Sequence, residues 1–420
     1  MKYFIRNSFI LTIALNCIGI GQHVLAQQGQ PVQAILGQDE NRRVITTAVP
    51  FLAISPDSRA SGMGDVGVAT TPDANATHWN PAKLAYLEPS FGVSASFTPW
   101  LSKIVNDMSI SYLSAYKKLN QQQALGLSMR YFDLGDIQLT DRQGELLNLV
   151  SPREFSLAAT FALQLGENLS AGLTGRFIHS NLLSNTGTGG TEGQAGLSGA
   201  ADVGIYYTKD IVFNGNEGNW SFGANISNIG AKITYLDEDQ ADFIPTNLKV
   251  GGAFTTYLDP YNKLTFAVDF NKLLVPTPPI YLRDSVTNQI VFRNSQPVIA
   301  PGGGRNPDRG LLSGMFGSFN DAPDGFSEEL QEIMISAGVE YWYNELFAVR
   351  AGYFYEHENK GNRKYFTAGL GLRYQVFGVD FAYLLPQDQN HPLQETLRIS
   401  LHFNIDSTPT ETIGEESDLN

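Results

Sequence analysis

The sequence predicts an all-β protein: a 14-stranded antiparallel transmembrane β-barrel with an N-terminal hatch of short helical turns inside it. Three observations lead there. From about residue 90 onward the chain repeatedly alternates apolar with small or polar residues, the period of a strand with one apolar face. Charges within those runs fall on the opposite face, where a lumen tolerates them; a lipid-facing Arg or Lys at the midplane would cost roughly 2–4 kcal/mol. Connections alternate between tight and long, as periplasmic turns and outer loops do in such barrels.

Taken in order, the chain opens with Lys2 and Arg6, then the apolar run Phe9 to Ile20, then Val24-Leu25-Ala26 before Gln27. Residues 1–26 read as a secretory signal peptide. Cys17, the only cysteine, lies within it, so the mature chain is expected to hold no disulfide, thiolate metal site or cysteine nucleophile. Losing Lys2 and Arg6 takes the formal charge from −14 to −16, an acidity that argues against nucleic acid as a partner. Beyond the signal there is no uninterrupted apolar run of 18 residues to suggest a transmembrane helix.

Residues 27–88 read as the hatch. The stretch "SGMGDVGVATTPDANATHWNPAKLA" contains G-x-G-x-x-G at Gly62, Gly64 and Gly67, with Glu88 near the spacing of a ribose-binding acid. A dinucleotide site needs a strand before that motif and a helix after it, within a βαβ unit. No such unit follows, so the glycines read as tight bends and close backbone packing. Ser55-Pro56, Thr71-Pro72 and Asn80-Pro81 each suit the start of a helical turn, and Trp79 is the expected anchor against the inner wall.

Residues 89–405 read as the barrel. Its strands are expected near 90–98, 108–116, 122–132, 153–165, 169–181, 199–208, 219–228, 246–258, 263–273, 332–343, 346–356, 364–375, 376–385 and 395–405. In "LTFAVDFN", Leu264, Phe266, Val268 and Phe270 share one face, and Asp269 lies on the other. Phasing every strand this way sends Arg130, Arg176, Asp202, Lys249, Asp269, Glu340, Arg350, Arg373, Asp380 and Arg398 into the lumen. Turns such as "GEN" and "DPYN" follow even strands; long loops at 133–152, 182–198, 229–245 and 274–331 follow odd ones. "KDIVFNGNEGN" and the Gly-rich 187–199 segment read as flexible loops. Tyr341-Trp342-Tyr343 and Tyr353-Phe354-Tyr355 sit near strand ends, as interfacial girdles do. Residues 406–420 form an acidic, polar tail with the composition of disorder.

The longest loop carries Leu311, Leu312, Met315, Phe316, Phe319 and Phe326 among Gly and Asp residues. Exposed apolar groups there suggest a partner surface, and packing on the barrel mouth or the hatch is the other reading.

"SRASGMGDVGVATTPDANATHWNPAKLA", preceded by "RRVITTAVPFLAISPD" and followed by these strands, resembles the FadL-like outer-membrane proteins. Within them it is similar to the PorV family of the type IX secretion system of Bacteroidota, over essentially the whole mature chain to about Ile405. The resemblance implies a non-enzymatic outer-membrane component without cofactor. Such a component collects cargo bearing C-terminal signal domains from the SprA translocon and delivers it to the PorU sortase. Outer-membrane lipid or detergent is a further expected contact. Architecture alone supports an alternative, a FadL-type transporter of hydrophobic small molecules. A lipid or lipopolysaccharide hydrolase is a further alternative.

No sequence motif favours catalysis. His78, His179, His357, His391 and His402 form no H-E-x-x-H or comparable ligand pair, and G-x-S-x-G is absent. His179 and Ser180 are adjacent, so a strand would point them to opposite faces. Asp237-Glu238-Asp239 with Asp242 lacks the spacing and glycine of an EF-hand and reads as a solvated loop.

Overall fold

In the computed structural model, fourteen strands hydrogen-bond edge to edge into one closed antiparallel barrel. The first seven are β1 (Phe91–Pro99), β2 (Ser109–Lys118), β3 (Gln123–Asp133), β4 (Arg153–Gln164), β5 (Leu169–Asn181), β6 (Gly196–Phe213) and β7 (Asn216–Gly230). The rest are β8 (Asn247–Asp259), β9 (Asn262–Leu273), β10 (Met334–Tyr343), β11 (Phe347–Tyr355), β12 (Lys364–Tyr374), β13 (Phe377–Pro386) and β14 (Leu397–Ile405). Each pairs with its sequence neighbours, and β14 closes on β1 with Phe91 opposite Ile405 and Phe97 opposite Ile399.

The structure describes residues 42–140, 144–182, 194–235, 241–294, 296–388 and 391–405. Of an N-terminal unit, Met1–Arg43, only the last two residues are described, so the fold is that of the unit from Val44 onward. The expected signal peptide, the tail 406–420, Asp237-Glu238-Asp239 and most of the Gly-rich segment lie outside the described residues.

Alternation does what the period of two requires. In β9, Phe266, Val268 and Phe270 are exposed on the outer wall, while Asp269 between them is fully buried. In β14, Leu397 and Leu401 face out while Arg398 and His402 are buried. No helix among the described residues is long and apolar enough to cross a membrane.

Three expectations need correction. The "KDIVFNGNEGN" stretch is ordered strand, because β6 and β7 run to Phe213 and from Asn216 around a two-residue turn. Asn214 and Gly215 hold φ of 52° and 84°, the positive values that a type I′ hairpin demands and that Asn-Gly favours. Residues 196–199 of the Gly-rich segment likewise belong to β6. The two aromatic triplets do not form girdles as units: Trp342 is 8% and Phe354 6% exposed, because the middle residue of three in a strand faces opposite to its neighbours.

The long loops carry structure of their own. A two-stranded hairpin, Ile137–Thr140 with Leu146–Val150, rises from the β3–β4 loop. The β9–β10 loop contains helical segments Leu311–Gly317 and Phe326–Gln331.

Residues 44–88 thread the lumen. Four short turns occur: Pro50–Ala53, Ser58–Ser61, Ala76–Trp79 and Pro81–Tyr86. Only one of the three anticipated cap-plus-proline signals starts a turn there: Asn80, whose side chain accepts from Ala82 N at 3.1 Å. The Ser58–Ser61 turn is capped instead by Asp57, which accepts from Ala60 N at 3.0 Å, and the Ala76–Trp79 turn has no side-chain cap. Capping by a short acceptor satisfies a donor that burial would otherwise strand.

Apolar contacts seat the hatch at three levels. Near the long-loop end, Val49, Phe51 and Leu52 pack with Ile110, Phe132, Ile178, Ile233 and Ile244. At mid-depth Met63, Val66 and Val68 meet Ala253 and Ala267. Near the short-turn end Leu84 and Ala85 meet Tyr116, Ala124 and Ala162. Each large side chain fully buried this way stabilises by about 1.5–3 kcal/mol.

Candidate functional site

Charge ties the hatch to the wall. Arg59 donates to both Glu340 oxygens, Nε to Oε2 at 2.9 Å and Nη2 to Oε1 at 2.8 Å, and through Nη1 to Asp73 at 2.9 Å and Thr71 O at 3.0 Å. Glu340 also receives Arg350 Nε at 2.6 Å, and Arg350 Nη1 reaches Asp380 at 2.8 Å. Asp380 in turn accepts from Arg373 Nη2 at 2.7 Å and faces His402 Nε2 at 2.7 Å. One hatch guanidinium is thereby continuous with charges on β10 to β13 and, through the His402 ring, with β14.

The other charges assigned to the lumen are likewise buried or nearly so, and partnered. Asp269 accepts from the backbone of Gly67 at 2.8 Å and Val68 at 3.0 Å, with Lys249 at 3.8 Å. Lys249 also stands 4.4 Å over the Trp79 ring. Arg130 donates to three hatch carbonyls, Phe51 at 2.7 Å, Leu52 at 2.9 Å and Ile54 at 3.0 Å. Arg176 pairs with Asp202 at 2.6 Å, and Arg398 donates to Ser61 Oγ with Asp65 at 3.7 Å. Burying charge is tolerable only when geometry supplies such partners.

The glycines of the opening motif touch protein. Gly64 has φ of 72°, and a Cβ there would stand 2.6 Å from Tyr353 N of the wall. A Cβ on Gly67 would enter the Trp79 indole, at 2.2 Å. Gly62 lies against Gly369 of β12, and its carbonyl accepts from Thr367 at 3.0 Å. Trp79 donates Nε1 to Asp57 at 2.7 Å, and its carbonyl receives Asn225 Nδ2 from β7 at 3.2 Å. Asn80 Nδ2 bridges Val68 O and Ile205 O, each at 3.0 Å, and Pro81 lies against Gly204 and Gly172. Sequence reasoning missed Arg59, Asp57, Asp65, Asp73 and Lys83 on the hatch side. The signal available was charge embedded among small residues in a segment expected to be buried.

Between the hatch and the wall, on the long-loop side, lies a cavity of about 250 Å³. Leu52, Ile54, Trp100, Met334, Phe354 and Leu393 supply apolar surface, and Lys249, Arg363 and Arg398 supply charge. His78 and His391 also line this cavity, but His78 receives Arg130 at 3.0 Å and His391 accepts from a backbone N–H; away from it, His357 accepts from a backbone N–H, His402 faces Asp380 and His179 stacks on Phe155. Among the described residues no group of three His, Cys, Asp or Glu could hold a metal ion.

The long-loop end presents the β9–β10 loop. Lys272 pairs with Glu329 at 2.9 Å and Glu332 at 2.5 Å, and Lys360 with Glu328 at 2.6 Å and Glu332 at 2.8 Å. Arg309 holds Asp321 at 2.5 Å, and burial pushes that carboxyl above its ordinary value. The loop is thereby clamped to β9 and to the β11–β12 connection. Of its expected apolar set, Leu312, Phe316, Phe319 and Phe326 are exposed, reaching 68% at Phe316 and 76% at Phe326. Leu311 is half-buried. Met315 departs from that expectation at 5% exposed, because its side of the helix turns inward, where Gly314 sits against Phe243 and Pro276.

The family model for the type IX secretion system protein PorV matches residues 37–280, which takes in the hatch and the first nine strands. The chain belongs to the PorV family. As a PorV-family barrel it is an outer-membrane protein of the type IX secretion system. Solved barrels resemble it with low identity. The CymD monoaromatic hydrocarbon channel matches at 13% identity over 86% of this chain and 99% of its own, with a TM-score of 0.48. The toluene transporter TbuX of Ralstonia pickettii matches at 11% over 83% and 98%, with 0.43. A FadL homologue of Pseudomonas aeruginosa matches at 10% over 86% and 99%, with 0.42. Among curated proteins the chain has no match.

Proposed function

We propose that this PorV-family barrel is a shuttle. It takes cargo bearing C-terminal signal domains from a SprA-like translocon and passes it to a PorU-like sortase at the cell surface. The observation that carries the reading is the clamped β9–β10 loop, whose exposed Leu312, Phe316, Phe319 and Phe326 form an apolar surface outside the membrane wall. Surfaces of that kind, held in place rather than collapsed, commonly mark partner sites. With the lumen occupied by residues 44–88, cargo is handled at the mouth and not through the bore.

The test replaces Leu312, Phe316 and Phe319 by Ser together and leaves buried Met315 alone. The barrel should fold and stay heat-stable in detergent, while co-purification with translocon and sortase falls and cargo accumulates in the periplasm. Normal capture and secretion by this variant would remove the loop as the partner site.

The cavity between hatch and wall supports a second reading, transport of hydrophobic small molecules. A deletion strain separates the two: loss of secreted proteins with normal fatty-acid uptake favours the shuttle, and the reverse favours the transporter.

A further inference from the structure

The outer wall is not uniformly bulky. Where β14, β1, β2 and β3 meet, two neighbouring rows of outward residues run across the strands in register. One is Leu401, Ala95, Leu113 and Met129; the other is Ile399, Phe97, Ser111 and Tyr131. Ala95 and Ser111 are the small members, and around them the wall sinks into a groove of about 390 Å³. Val93 lies in the next row and Leu127, exposed, continues it, so the groove is set within the apolar band rather than beside it. Four of its lining residues carry hydroxyls: Ser96 and Tyr112 turn theirs inward to Ser400 and Thr77, and the two on the outer face, Ser111 and Tyr131, lie at one end. Ser111 is near the start of β2 and Tyr131 near the end of β3, both next to long loops.

We infer that this groove is a seat for one acyl chain of an outer-leaflet lipid, with the chain across Ala95 and its polar end towards Ser111 and Tyr131. Two arguments select that occupant. The groove is continuous on its sides with the lipid-facing wall, so what fills it is the apolar matter already bathing that wall. A dent left unfilled would forfeit dispersion contacts on both of its surfaces, so a chain lying in it exchanges more slowly than one on a smooth wall. The one-ended placement of hydroxyls then orients the amphiphile, since lipid chains have nothing polar to offer at mid-depth.

The experiment fills the groove with A95F/S111F and compares wild type with G175F. Gly175 has open space where a side chain would go, so that variant adds a ring to the outer wall elsewhere. Each barrel is extracted from outer membranes in mild detergent, washed, and examined by native mass spectrometry for bound amphiphile. Phosphorus and 3-hydroxy-acyl analysis distinguishes phospholipid from lipopolysaccharide. Wild type and G175F should retain a lipid that A95F/S111F loses by about tenfold in apparent affinity. Equal retention by all three barrels overturns the proposal. As a second measurement, S111C carrying a photoreactive label should cross-link to lipid, the mature chain having no cysteine of its own once the expected signal is removed. Cross-linking to a protein partner instead, with lipid retention unchanged by A95F/S111F, also overturns it and makes the groove a protein contact.

Discussion

A disulfide between S58C and S400C would pin the hatch to the last strand. The two hydroxyl oxygens lie 3.0 Å apart, both residues are fully buried, and Ser58 N also donates to Ser400 Oγ at 2.9 Å. A disulfide needs sulfurs about 2.05 Å apart, so the side chains must close by only about 1 Å. The residues are 342 apart in sequence. Chain-entropy reasoning gives such a loop a ceiling of about 6 kcal/mol, against the roughly 2–4 kcal/mol that disulfides usually deliver. Replacing Ser400 also removes its 2.7 Å hydrogen bond with Ser96, worth about 1 kcal/mol, but from the reduced and oxidised forms alike. The oxidised barrel should therefore exceed its reduced form by about 2–4 kcal/mol in urea unfolding from detergent micelles. If the barrel is a shuttle that handles cargo at its mouth, cells carrying the oxidised form should secrete normally. An oxidised form no more stable than the reduced one would refute the packing. Stabilisation with a secretion block relieved by reductant would show that the hatch is a gate.

Two further outcomes follow from the same interior. Arg59→Met strands Glu340 and Asp73 and should cost about 3–5 kcal/mol in urea unfolding, with part recovered in the R59M/E340Q double variant. A double variant as unstable as the single one would mean that the cost lies in packing rather than in unpaired charge. Gly64→Val should abolish the heat-modifiable folded barrel, given φ of 72° and the approach of Tyr353 backbone, whereas Gly175→Val should not. Saturable NAD binding that depends on Gly64 would revive the nucleotide reading.

The wall was legible because its signal is local. Two residues of separation decide which face a side chain takes, so Asp269 between Val268 and Phe270 could be phased from three letters. The same arithmetic splits Tyr341-Trp342-Tyr343, because the pleat turns Trp342 inward and Tyr343 outward. The Asn214-Gly215 hairpin was also written plainly, in the Asn-Gly pair between alternating residues. What could not be read was the partner of each hatch residue. Arg59 meets Glu340 across 281 positions, and nothing near either residue encodes the other. The inward turn of Met315 is of the same kind, fixed by Phe243 from a different loop.

The closing strand has a consequence for how such a barrel is made. Residues 57–67 leave the ribosome early, yet Ser58 and Ser61 bind Ser400 and Arg398 of β14, the last barrel strand in chain order. That strand also supplies the seam with β1. Sealing the cylinder and pairing this part of its interior thus both wait for β14, and until then water meets the donors and acceptors of the early segment. Contacts of such high sequence separation form slowly and leave the chain exposed to wrong pairings in the meantime. The periplasmic intermediate is consequently the species most in need of a chaperone, and a truncated chain lacking β14 is an unsealed, unplugged product that proteolysis should find first.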